Sequence, residues 1–159
     1  MKRLTLAAIF AGGFLLAACA GKECYENQNT LPLAGFRDMA THRAVTLSHL
    51  TVAGIGAPGD SLLTDSAAVE QVYLPFRPQS PSTSFEFRYG DTGVADMLTF
   101  YYATQPWFAS EQCGVVYHFR VDSIRHTRYL MDSVAVPGGV ITNVNGQNIE
   151  IYFREEAEQ

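Results

Sequence analysis

From about Val45 onward the chain alternates apolar and polar positions two by two. Phe85, Phe87 and Tyr89 are interleaved with Glu86 and Arg88, and Leu98, Phe100 and Tyr102 with Thr99 and Tyr101. Further on, Val115, Tyr117, Phe119 and Val121 stand against His118, Arg120 and Asp122, and Ile149, Ile151 and Phe153 against Glu150 and Arg154. Successive side chains of a strand point to opposite faces, so each of these runs predicts a strand with one dry and one wet face. Shorter runs come before them: Leu47 to Ala53, Ser61 to Thr64, and Val69 to Leu74, the last stopped by Pro75 and Pro78. Leu31 to Phe36 reads as an extended entry to the fold, and no stretch has the spacing of a long amphipathic helix. Gly90-Asp91-Thr92-Gly93 predicts a hairpin between the Phe85 and Leu98 strands, and Asn145-Gly146 predicts another ahead of a final strand over 148–153. Sheets with one apolar face bury it on one another. The expected fold is therefore all-β, an antiparallel two-layer sandwich of about seven or eight strands, immunoglobulin- or transthyretin-like, with a small barrel as the second choice.

The N-terminus is patterned differently. Lys2 and Arg3 precede an apolar run from Leu4 to Leu16, which is shorter than the roughly 20 residues that span a bilayer, and small residues then lead to Cys19. This is the layout of an export signal. Leu16-Ala17-Ala18-Cys19 resembles the bacterial lipobox, in which the thiol takes a diacylglyceryl group, the preceding peptide is removed and the new amine is acylated. The plain alternative is an ordinary secretory leader cut at Ala18 or Ala20, but Leu three positions before Cys19 suits the lipoprotein pattern better. The chain then divides into a signal peptide (1–18), a lipidated tether (19–30), a sandwich domain (31–154) and an acidic tail (155–159).

Charge and cysteine content sharpen this picture. The formal charge of −5 includes Lys2 and Arg3, so losing those two cations leaves the mature chain at −7. Such a balance argues against nucleic acid and against electrostatic attraction to anionic lipid, and leaves the acyl chains as the membrane attachment. With Cys19 lipidated, the three cysteines reduce to Cys24 and Cys113, most simply a disulfide in an oxidising compartment. Closing so long a loop removes on the order of 4 to 5 kcal/mol of unfolded-state freedom in the chain-entropy treatment. The alternative is a reactive Cys113 thiol with His118 as its base, but a separation of five along a strand puts the two on opposite faces.

Three features together resemble a known family: a cysteine soon after the lipidated one, Leu74-Pro75-Phe76-Arg77-Pro78 closing an early strand, and Ser110-Glu111-Gln112-Cys113-Gly114 leading into an aromatic strand. The family consists of small Bacteroidota lipoproteins known only as a domain of unknown function. The resemblance implies the lipid anchor and the paired cysteines, and brings no activity or cofactor.

No catalytic, metal or cofactor constellation emerges from the residues. Asp91-Thr92-Gly93 looks like the loop of aspartic proteases, whose chemistry needs two such aspartates sharing a proton; one copy is present, so only a dimer could supply the pair. His42, His49, His118 and His126 lack the spacing of zinc ligands. Asp60-Ser61-Leu62 and Asp65-Ser66-Ala67 resemble the Asp-Ser/Thr-apolar acceptor of protein O-glycosylation in Bacteroidota, and equally suit turns at strand ends, where Asp and Ser side chains bond to backbone. Ser123 and Ser133 lie in similar triplets and read as strand-end turns. Gln105-Pro106-Trp107-Phe108 reads as a loop, where Trp107, with Tyr101 on a polar face, could stack on sugar rings; a Trp plugging the core is the commoner arrangement. The functional expectation is a lipid-anchored outer-membrane protein, facing the periplasm or exposed at the surface. It binds or scaffolds envelope proteins or glycans. A glycan-binding module using Trp107 and a dimeric protease using Asp91 are the alternatives.

Overall fold

The computed structural model describes residues 30–56, 61–91, 93–111 and 113–154. Among them are ten strands and no helix: β1 (Leu33–Asp38), β2 (Leu47–Ile55), β3 (Leu62–Val69), β4 (Gln71–Tyr73), β5 (Ser82–Tyr89), β6 (Ala95–Ser110), β7 (Gly114–His126), β8 (Met131–Ala135), β9 (Val140–Ile141) and β10 (Gln147–Phe153). They form a four-stranded sheet in the order β4-β1-β10-β8 and a six-stranded sheet in the order β3-β2-β5-β6-β7-β9. The expected two-layer sandwich is what forms, with two differences. The entry segment is a full strand in the interior of the smaller sheet, and β1 pairs with β10 in parallel, Phe36 beside Ile151.

The alternating runs supply the core. Phe85, Phe87 and Tyr89 of β5, Leu98, Phe100 and Tyr102 of β6, and Ile149, Ile151 and Phe153 of β10 are all buried. Aromatic rings meet edge to face across the two layers: Phe36 with Phe87 at 6.4 Å and Tyr89 with Phe153 at 6.2 Å between centroids, geometries that favour the ring quadrupoles. Leu74-Pro75-Phe76-Arg77-Pro78 closes the gap between the layers. Phe76 stacks on Tyr102 at 4.6 Å. The Tyr102 hydroxyl accepts from the Arg77 amide and donates to its carbonyl, both at 3.0 Å.

The Gly90–Gly93 turn joins β5 and β6 as a hairpin, as expected, and Arg88 pairs with Ala95 across it. Asn145-Gly146 behaves otherwise. The two-residue β9 belongs to the larger sheet, beside Phe119 and Arg120, while β10 belongs to the smaller one. The turn therefore carries the chain from one layer to the other, because Ile141 and Ile149, both fully buried, enter the core from opposite sides.

Candidate functional site

β6 and β7 are the longest strands, and their outer parts leave the sandwich. β5 accompanies β6 only as far as Ser82 opposite Tyr101, and β9 accompanies β7 only at Phe119 and Arg120. Beyond Thr104 and Phe119, among the described residues, the two strands pair only with each other, through Gln105 with His118, Pro106 with Tyr117, Trp107 with Val116 and Phe108 with Val115. The result is a two-stranded ribbon roughly 20 Å long at the usual strand rise. The segment expected as a loop is thus a strand. A proline fits there because the ribbon has outer edges that bear no ladder.

Facing pairs share a side of the ribbon. Tyr102 with Val121 and Thr104 with Phe119 face the core, so Pro106 with Tyr117 and Phe108 with Val115 continue the core-facing stripe past the end of the smaller sheet. These positions stay open: Phe108 is 63% exposed, Val115 58% and Tyr117 42%, whereas Val116, on the opposite side, is buried. The dry face expected for Val115 and Tyr117 is therefore open, whereas Phe119, on the same stripe, is buried. On the other side Trp107, 56% exposed, lies flat on His118, with ring centroids 5.3 Å apart and an interplanar angle of 19°. His118 Nε2 is 3.0 Å from Oδ1 of the buried Asn143. Trp107 thus stands at the surface instead of plugging the core, one ring face taken by His118. Tyr101 lies six positions back, about 20 Å away, with the Arg125 guanidinium 5.6 Å over its ring. The two aromatics do not make one stacking platform.

The tip of the ribbon is the Ser110–Gly114 turn. Cys113 N donates to Ser110 Oγ at 3.0 Å, and Gly114 takes a left-handed backbone (φ 69°) that suits glycine. Cys19 and Cys24 lie outside the described residues. The chain nevertheless enters the fold at this same end. β1 and β10 run in parallel toward Asp38 and Phe153, which line a cleft of about 440 Å³ together with His49, Tyr89, Gly90 and Arg154 at the β5–β6 turn. Thr30, Pro32 and Leu33 are therefore at the other end, where Leu74 N donates to Pro32 O at 2.8 Å and Phe76 packs on Phe119.

Charged groups lining the cleft are committed to neighbours. Asp38 accepts from the Thr41 hydroxyl at 2.6 Å and the Thr41 amide at 2.7 Å, which hold its carboxyl below the usual value. Arg154 pairs with Asp132 at 3.1 Å. Asp91 sits exposed in the β5–β6 turn, and Thr92 lies outside the described residues.

The buried carboxylate of this region is Asp96. It accepts from Thr127 Oγ1 (2.6 Å), Tyr89 Oη (2.9 Å) and the backbone amides of Tyr129 (2.7 Å), Leu130 and Met131 (both 2.9 Å). Burial opposes its ionisation, but the bonds from Thr127, Met131, Tyr129 and Leu130 win and hold its pKa below the ordinary value. Tyr89, buried and facing that charge, is pushed far above a normal phenol. One signal for Asp96 was present in the sequence: it is in phase with Leu98, Phe100 and Tyr102, so it falls on the dry face. A carboxylate there must be fully hydrogen-bonded.

Ser61 is exposed beside β3, its carbonyl accepting from Gly54 N at 3.0 Å. Asp65 and Ser66 form a bulge opposite Thr51 on the edge strand β3, with Ser66 exposed at φ 42°. Among the described residues no group of three or more His, Cys, Asp or Glu is placed to hold a metal, and no helix is long and apolar enough to cross a membrane. Residues 49–153 match the family described as "Family of unknown function (DUF6452)". No curated protein and no solved structure matches the chain.

Proposed function

The chain belongs to the DUF6452 family of unknown function, and from its own residues we propose that it is a lipid-anchored protein of the cell envelope that binds or scaffolds, without catalysis of its own. The observation that carries this reading is the Lys2-to-Cys19 pattern: cations, an apolar run too short to span, small residues and a cysteine. Thioether and amide-linked acyl chains on Cys19 hold the mature protein to the outer membrane, since two or more chains anchor stably where one does not. The domain faces the periplasm, because Ala20 and Gly21 open no acidic export cluster. Cys24 pairs with Cys113. In support, Cys19 and Cys24 are the chain's other cysteines, and lipidation of Cys19 leaves Cys24 as the partner for Cys113.

A glycan-binding role for Trp107 is the second reading, favoured by the exposed ring; its test is a change in Trp107 emission on adding envelope polysaccharides. Ser66, raised on its bulge, is the better presented of the two proposed O-glycan acceptors, and an intact mass equal to polypeptide plus lipid would remove both. For the anchor itself, radiolabelled palmitate should enter the protein in growing cells and be lost in a Cys19→Ala variant. A mature form that takes no label and partitions into the aqueous phase of a detergent separation contradicts the proposal.

A further inference from the structure

We infer that the tip of the β6–β7 ribbon is a membrane-docking wedge whose occupant is the bilayer's headgroup and upper acyl region. The inference rests on the lipid-anchor reading and adds which end of the molecule meets the lipid.

The side chains are of the kind that a membrane interface takes. Trp107 and Tyr117 carry an apolar body and a polar edge, the class enriched at the headgroup level, and Pro106, Phe108 and Val115 stand beside them. Phe108, Val115 and Tyr117 on one face and Trp107 on the other stay exposed, although Val116 beside Trp107 is buried, and the cluster of core residues ends at Tyr102, Phe119 and Phe76. Charge points the same way. Between Thr104 and Phe119 the one formally charged residue is Glu111, in a chain that is otherwise acidic. The chain as a whole carries a net negative charge that opposes anionic lipid, whereas this segment is nearly neutral.

Backbone chemistry sets the depth. Among the described residues the outer edges of the ribbon bear N–H and C=O groups without ladder partners, which hydrocarbon cannot satisfy. The tip can therefore enter only the wet interfacial layer, where aromatic side chains are most at home.

Tether geometry then selects this end over the cleft end. Thr30 enters the fold on the ribbon side, so the segment from Cys19 to Thr30, at most about 40 Å when extended, brings that end down first. Turning the cleft end to the bilayer would require the tether to run back along the sandwich. If Cys24 is bonded to Cys113, only Ala20, Gly21, Lys22 and Glu23 separate the acylated residue from the tip's own partner, a reach of roughly 15 Å.

Trp107 is the chain's single tryptophan, so its emission reports the ribbon alone. The protein extracted from its membrane is reconstituted into vesicles of phosphatidylethanolamine and phosphatidylglycerol, with or without lipids brominated at shallow or deep acyl positions. Flotation should carry the protein with the vesicles. Shallow bromines should quench Trp107 about twofold and deep ones less, as an interfacial ring requires. A Phe108→Ser, Val115→Ser double variant, altered only at exposed positions, should float equally well but lose most of that quenching. Floating protein whose Trp107 no bromolipid quenches overturns the wedge and leaves the anchor standing; the ribbon would then face a second copy or a glycan. Protein that does not float overturns both readings together.

Discussion

Asp96 shows how much one side chain can organise. It ties the start of β6 to the 127–131 segment that leads into β8, so the two sheets are joined through a single carboxylate. Replacing it with Ala strips partners from buried amides and hydroxyls at once and should cost about 3–5 kcal/mol in urea or guanidinium unfolding at neutral pH. Tyr89→Phe removes one bond of five and should cost nearer 1 kcal/mol. A pH dependence follows from the same geometry. The folded pKa of Asp96 is depressed, so its contribution is complete above the unfolded value of about 3.9 and is lost as pH falls through the lower folded value. Stability measured against pH should therefore drop in that acid window, and Asp96→Asn should flatten the drop. An unchanged acid limb in the Asn variant would locate the sensitivity elsewhere.

Among elements, the β6–β7 pair carries both the core and the exposed tip. Two positions on one stripe separate these roles: Phe119→Ala should cost about 3–5 kcal/mol by opening a cavity among Phe76, Tyr102 and itself, whereas Phe108→Ser, at an exposed site, should change stability by less than about 0.5 kcal/mol. Equal losses at both would mean that the ribbon is packed against something. The same stripe marks the limit of what was legible in the sequence. Alternation named the inward residues of β5, the first half of β6 and β10 correctly, because partners cover those strands along their whole length. It could not tell that Val115 and Tyr117 lie beyond the smaller sheet, since a period of two reports which face a residue takes and not whether anything lies opposite. Pro106 in particular read as a loop, although an unpaired ribbon edge accepts it. Asn145-Gly146 looked like a hairpin because a turn signal does not say which sheet the next strand joins. Asp96 was visible only through its phase with Leu98, and its partners at 127–131, more than thirty residues away, were not.

For the molecule as a whole, the sandwich has one closed body and two unlike ends. A cleft whose charged groups are already engaged by neighbours occupies one, and an apolar ribbon beside the chain's entry occupies the other. Under the proposed anchoring, lipid at Cys19 and the tether lie beside the ribbon tip, and the proposed cross-link from Cys24 to Cys113 fastens them. Such a link should also hold the tip in place when the rest of the sandwich is weakened. Digesting protein from its native membrane with trypsin under non-reducing conditions tests it most directly. The expected product is a joined pair, 23–37 and 89–120, that separates on reduction. Recovery of the 89–120 peptide alone, with Cys113 alkylated before any reductant is added, contradicts it.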